Sequence, residues 1–466
     1  MSSTPSFPAR PSRWSAGLRY AGLALVPMAL ALWFARTPPQ TGVTAHAVPA
    51  SAPAQGWLEA MSTPLAHFLL QLLVVLLVAK GAGAVLRRFG QPAVIGEMAA
   101  GLMLGPLLLG AVFPQAQQWL FAPASLGALG LVSQLGVLMF LFVAGAELDL
   151  SALRGRRRLA LLVSHAGIAL PFLLGVGVAW MLYPQHGPAG VGFTGFALFM
   201  GIAFSITAFP VLLRILADRG ITDTPLGQIA IACAALGDAT AWALLALIVA
   251  AVQASGTGAT LAQLAGVALL AAVMFGLVRP WMARQRIAPG TEGRWLIGLL
   301  WLALACALAT EMLGIHALFG AFLAGVVVAR NAALRELLET RVAPFAMALL
   351  LPLFFAMTGL RMRPDALRAD DLGLCLVVIA LAAAGKLLST FVAARGSGMG
   401  RADAWRLGAL MNTRGLMELI VLNLGYDLGL IGDRLFAALV IMALVTTAMT
   451  GPLLNLVDRL SRRATH

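Results

Sequence analysis

The sequence predicts an all-α polytopic membrane protein of thirteen transmembrane helices, arranged as two inverted six-helix repeats, with a further apolar segment near the N-terminus. Three observations predict it. Of the 466 residues, 60% are hydrophobic and only 11% charged, a composition too apolar for a water-soluble globule of this size. Apolar stretches of membrane length recur along the chain with short connections between them, which makes one membrane domain from 64 to 456. Polar residues interrupt the fifth and the twelfth stretch at comparable positions, as expected when two halves repeat each other in inverted orientation.

Residues 1–60 carry Arg10, Arg13 and Arg19 ahead of an apolar run from Tyr20 to Ala35, followed by a Pro/Ala-rich stretch containing Ala45-His46-Ala47. This pattern fits a cleaved signal peptide and an extra helix equally. The spans after it are 64–86, 92–113, 125–147, 159–183, 190–215, 226–254, 260–280, 294–312, 315–332, 343–360, 371–395, 402–424 and 433–456, and 457–466 is a short tail. Arginines collect in alternate loops: Arg87 and Arg88; Arg154 and Arg156 to Arg158; Arg214 and Arg219; Arg279, Arg284 and Arg286; Arg330, Arg335 and Arg341; Arg395, Arg401 and Arg406. The tail adds Arg459, Arg462 and Arg463, whereas loops 114–124, 184–189, 255–259 and 313–314 have no Lys or Arg. The positive-inside rule therefore puts the C-terminus in the cytoplasm. One loop dissents, with Arg361, Arg363 and Arg368 on the outer side among Asp365, Asp370 and Asp371.

The net charge of +13 rests on 30 Arg and 2 Lys against 19 acids and belongs to these loops. No basic patch is interleaved with exposed aromatics, so nucleic acid is not an expected partner. Cys233, Cys306 and Cys375 fall inside apolar spans without metal-ligand or CxxC spacing and read as small core residues. No cofactor is expected, and GxSxG and HExxH are missing, which argues against an intramembrane protease.

The sixth span, Leu226 to Ala251, holds one ionisable residue, Asp238, halfway along. A carboxylate at that depth costs about 2.5–3.5 kcal/mol on insertion scales, so it reads as the working group. The fifth span reads GIAFSITAFPVLLRIL, where Ser205, Thr207 and Pro210 interrupt the helix; proline lacks the backbone donor and the hydroxyls can satisfy groups so freed. The twelfth reads GALMNTRGLMELIVLNLG, interrupted at Asn412, Thr413, Arg414 and Gly415. If both unwind, half-helix ends meet near Asp238. Lys386 lies too far from either end of the eleventh span to reach the interface and reads as the counter-charge. Lys80 reads as snorkelling, Glu97 and Glu147 as structural, His165 as a hydrogen-bonded packing residue, and Glu311 and His316 as solvated residues at an outer turn.

These motifs resemble the monovalent cation/proton antiporters, the bacterial sodium or potassium/proton exchangers and their plant relatives. The resemblance runs through VIGEMAAGLMLGPLLLG (94–110), LGVLMFLFVAGAELDL (135–150), FSITAFPVLLRILADRG (204–220), HALFGAFLAG (316–325), LPLFFAMTGLRM (351–362), GKLLSTF (385–391), MNTRGLMELIVLNLGYDLG (411–429) and TTAMTGPLL (446–454). It implies a homodimer whose core domain carries ions across the bilayer against a static dimer domain. Asp238 falls on the family's ion-binding aspartate, Lys386 on its core-domain lysine, and the breaks at Ser205, Ile206, Thr207 and Ala208 and at Asn412, Thr413 and Arg414 on its crossed, discontinuous helices.

In electrogenic relatives two acids stand before the alanine-tryptophan pair, whereas this chain has Gly237-Asp238-Ala239-Thr240-Ala241-Trp242. Lys386 therefore needs another partner, and Asp238, directly or through water, is the expected one. A nucleotide-binding domain like that of glutathione-gated relatives is not expected here. A carboxylate that holds either a proton or a metal ion exchanges one for the other when exposed alternately to two sides. Asp238 is thus the expected site of both proton and monovalent cation, sodium or potassium, with Thr207, Thr413 and the accessory candidate Thr240 as further oxygen ligands. One acid in place of two predicts electroneutral exchange. A channel or non-transporting sensor on the same fold is the alternative reading. The Arg-for-Lys and Ala/Gly/Leu bias predicts a bacterial, cytoplasmic-membrane protein.

Overall fold

The computed structural model describes residues 63–148, 157–253, 257–363 and 371–463, so the expectations for 1–60 fall outside it. Among the described residues every regular element is helical. The helices that matter for the site are α1 (Pro64–Arg88), α2 (Ala93–Leu104), α3 (Leu126–Ala146), α4 (Arg157–His186), α5 (Phe193–Ser205), α6 (Phe209–Asp218), α7 (Pro225–Gln253), α8 (Thr257–Val273), α9 (Glu292–Met312), α10 (Ala317–Val328), α11 (Ala332–Arg341), α12 (Leu351–Leu360), α13 (Asp371–Gly396), α14 (Arg401–Met411), α15 (Leu416–Asp427) and α16 (Asp433–Arg463). Eleven helical stretches are long and apolar enough to cross a bilayer. The ninth predicted span is shorter than expected, because α10 has 12 residues, and the twelfth is the pair α14 and α15.

Two bundles result. One packs α1, α2, α3, α9, α10 and α12 around Phe142, Leu299, Leu129 and Leu353, with the end of the α8 span against it at Met274. The other packs α4 to α7 and α13 to α16 around Phe196, Phe199, Phe204 and Phe436. Within the first bundle, α2 and α12 touch backbone to backbone at Gly101 and Gly359, where a methyl on either would overlap the other helix's main chain. That approach is open only to glycine. Between the bundles, Trp242 of α7 stacks on Phe322 of α10 at 5.4 Å and meets Phe319 edge-on at 5.6 Å.

The outlying charges have specific partners. Lys80 does not simply snorkel: its ammonium meets the buried Glu97 carboxylate at 2.8 Å, tying α1 to α2. Of the dissenting arginines, Arg361 meets Asp427 at 2.9 Å and Arg363 meets Asp433 at 3.8 Å, while Arg368 lies outside the described residues. His165 is exposed rather than packed, its Nδ1 within 2.8 Å of the Leu161 carbonyl on its own helix. Glu311 caps α10 by accepting from the Ala317 N–H at 2.7 Å. Cys233, Cys306 and Cys375 are free and buried, as expected.

Gly101→Ala should lower the thermal midpoint of the purified protein, since overpacking of this kind costs about 1–3 kcal/mol. Gly81→Ala, whose added methyl meets nothing within 4 Å, should leave the midpoint unchanged. Fluorescence-detected size exclusion after heating reads both.

Candidate functional site

The fifth span breaks where its sequence directs. α5 stops at Ser205, the chain runs extended through Ile206 and Ala208, and α6 restarts at Phe209 with Pro210 in its first turn. Proline there costs no intrahelical bond, since the first amide donors of a helix have no partner anyway. The twelfth span stops at Met411 and α15 restarts after Gly415, whose φ of 136° belongs to glycine. All of Ser205, Ile206, Thr207, Ala208, Asn412, Thr413 and Arg414 are buried. The breaks cross. The Ala208 amide donates to the Thr413 carbonyl at 3.0 Å, and the Thr207 hydroxyl to the Met411 carbonyl at 3.3 Å.

Each broken end meets a charge of the sign its dipole favours. The carbonyl end of α5 receives two cations. Lys386 donates from Nζ to the Ser205 carbonyl at 2.5 Å and to the Thr207 hydroxyl at 2.7 Å. Arg414, wholly buried, donates to the Ala203 carbonyl at 2.8 Å and the Phe204 carbonyl at 2.5 Å. The amide end of α6 receives the anion: the Phe209 N–H donates to Asp238 Oδ2 at 3.3 Å. Asp238 Oδ1 is buried and has no hydrogen-bond partner.

Lys386 and Asp238 therefore do not pair directly. They sit on opposite ends of the extended segment between α5 and α6, and the ammonium is engaged by the break itself. The Thr240 hydroxyl donates to the Leu236 carbonyl one turn back at 2.9 Å. The Thr413 hydroxyl is shared with Thr450 at 3.3 Å.

Two features escaped the sequence reading. Glu418, in the first turn of α15, is fully buried and pairs with Arg414 at 3.0 Å. The i,i+4 spacing of Arg414 and Glu418 in an apolar span was the available signal. The hydroxyls of the last span brace the second break as well: Thr447 accepts from the Arg414 amide at 3.1 Å, and Asn412 donates to the Thr446 carbonyl at 3.2 Å. At Gly237, an added Cβ would meet only the Ser164 hydroxyl, at 3.4 Å.

Beside the crossing lie cavities of unequal size. A cavity of about 430 Å³, lined in part by Lys80, Glu97, Glu147 and Arg214, enters from the arginine-rich ends of the helices and reaches Val211 and Leu416. On the opposite face a space of about 50 Å³ is bordered by Ser133, His316, Arg361, Asn423 and Asp427. A narrow crevice at Asp238 runs past Ile206, Trp242 and Met417.

Residues 73–457 match the family model described as sodium/hydrogen exchanger, transmembrane. The chain belongs to the sodium/hydrogen exchanger family. It is 38% identical over 399 residues to the Na(+)/H(+) antiporter NhaS4 of Synechocystis, covering 83% of this chain and 95% of that protein. It is 38% identical over 411 residues to cation/H(+) antiporter 18 of Arabidopsis thaliana, where it spans about half (49%) of the plant protein. The Na(+)/H(+)-K(+) antiporter GerN of Bacillus cereus is 28% identical, with 84% of this chain and 96% of that one aligned. In fold, the exchanger is similar to the sodium proton antiporter MjNhaP1 of Methanocaldococcus jannaschii, with a TM-score of 0.60 at 14% identity, over 84% of this chain and 96% of that one.

Glu418→Ala would leave Arg414 charged and buried with carbonyls alone as partners. Breaking a buried pair in this way costs about 3–5 kcal/mol, so the thermal midpoint in detergent should fall clearly below that of the parent.

Proposed function

We propose that this exchanger moves a monovalent cation, sodium or potassium, against a proton at Asp238 by alternating access. The observation that carries this reading is the Asp238 carboxylate, buried at the amide end of α6 with Oδ1 unpartnered. An unsatisfied buried acceptor is costly, and a proton or a cation removes the cost; both cannot be held favourably at once. The Ile206 to Ala208 and Asn412 to Arg414 segments supply unwound backbone nearby from which further oxygen ligands can be drawn. Thr240 stays an accessory candidate, since a hydroxyl that donates its proton to the Leu236 carbonyl keeps lone pairs for a cation.

Thirteen crossings follow when the 12-residue α10 and the split pair α14 and α15 are added to the eleven long apolar stretches. Breaks in the fifth and twelfth crossings support two inverted halves. The bundle of α4 to α7 and α13 to α16 is the ion-carrying core in this reading; the other bundle is the static partner and the seat of a homodimer. Arginine placement supports a C-terminus in the cytoplasm, and the Arg-for-Lys and Ala/Gly/Leu bias supports a bacterial cytoplasmic membrane.

Exchange is electroneutral in this reading. Among the described residues Asp238 is the carboxylate bound at the amide end of α6, and Lys386 is held by Ser205 and Thr207 rather than by Asp238. Arg414 and Glu418 neutralise each other and do not enter the count.

In proteoliposomes loaded with a pH-sensitive dye, Asp238→Asn should abolish cation-dependent proton movement while leaving a monodisperse protein; retained exchange would overturn the assignment. With the membrane potential clamped at several values, the parent rate should not change. Gly237→Asp, whose Cβ would meet only the Ser164 hydroxyl at 3.4 Å, should make the rate depend on potential.

A further inference from the structure

The small space on the face opposite the arginine-rich loops is closed by a set of contacts that join the two bundles. α12 belongs to the first bundle, α15 to the second. At the end of α12, the Arg361 Nη1 lies 2.9 Å from Asp427 Oδ1 and 3.0 Å from Asp427 Oδ2, at the end of α15. The same nitrogen donates to Asn423 Oδ1 at 2.9 Å. One turn deeper, Asn423 Nδ2 donates to the Thr358 hydroxyl of α12 at 2.9 Å. Arg363 and Asp433 at 3.8 Å add a second ion pair from the segment after α12 to the start of α16.

The opposite end of the same interface differs. There the bundles are separated by the cavity of about 430 Å³, and the charged pair lining it, Lys80 with Glu97, lies within the first bundle. The bond reaching across near that end is neutral, from the Gln91 side-chain amide to the Ala448 carbonyl at 3.2 Å. Charge-assisted bonds are the stronger kind, so the two ends are held unequally.

We propose that Arg361, with Asp427 and Asn423, is an outer latch: it positions α15 against α12 so that the core bundle rests open to the cytoplasm, and it must part each time Asp238 is exposed outside. Arg361 thereby sets the balance between the two exposed states, and with it the apparent cation affinity on each side, without touching the ion. A contact made in one state and lost in the other shifts the equilibrium by its differential strength. This inference rests on the alternating-access reading and on its orientation.

The test uses Ser133→Cys, a buried position bordering the outer space, in a background where Cys233, Cys306 and Cys375 are changed to Ala. A membrane-impermeant thiol reagent is added to the outer face. Labelling should be slow in the parent and severalfold faster in Arg361→Ala and in the near-isosteric Asp427→Asn, which guards against a folding defect. The charge-swapped pair, Arg361→Asp with Asp427→Arg, should return it toward the parental rate. With the same reagent added to the cytoplasmic face instead, a cysteine at Ala348, on the wall of the large cavity, should react more slowly in these variants. Unchanged labelling in both single variants would overturn the latch, and so would a swap that labels as fast as either. Labelling of Ser133→Cys from the cytoplasmic face instead would overturn the orientation and the latch with it. Cation-dependent proton movement is measured in the same vesicles: its absence in the parent would sink the transport reading alone, because the accessibility change does not depend on coupling.

Discussion

The structure depends on how two interrupted helices are kept in an apolar bundle. A helix that stops inside a membrane exposes carbonyls at one broken end and amides at the other, and no water is there to satisfy them. At the fifth span the carbonyl end is met by Lys386 and Arg414 and the amide end by Asp238. The buried charges are thus not free additions to the bundle. They neutralise the ends that the break creates, and the break in turn supplies the hydrogen bonds that make their burial tolerable.

This mutual support explains why the lysine and the aspartate stand apart. Each has a helix end to itself, and the extended Ile206 to Ala208 segment lies between them. Asp238 gives one carboxylate oxygen to the Phe209 amide and keeps the other uncommitted. The structural duty and the proposed ion-binding duty fall on different atoms of one side chain. Arg414 links the two breaks, its guanidinium on the carbonyls of α5 and on Glu418, while at the second break Thr447 takes up the Arg414 amide.

Around this centre the bundles are built for different purposes. Gly101 and Gly359 let α2 and α12 meet at backbone distance, which makes the first bundle stiff. The interface between the bundles is looser: aromatic stacking at Trp242, a large cavity at one end and a charged clasp at the other. A frame and a body that moves against it are what the proposed carrier cycle requires.

The sequence by itself determined the membrane class and the two helices that break, because hydrophobic length and polar or proline interruptions of it are local properties. It also singled out Asp238, Lys386 and Arg414, since a charge deep in an apolar run is visible without knowing its neighbours. Their pairing was not visible. That Lys386 binds Ser205 and Thr207 rather than Asp238, that Thr240 turns back on its own helix, and that Glu418 and the threonines at 446, 447 and 450 close the second break all depend on rotation and crossing of helices far apart in the chain. Arg361 shows the same limit from the other side. Read along the chain it contradicted the charge rule, and only the tertiary structure, by bringing Asp427 and Asn423 to it from another bundle, decided what that charge is for.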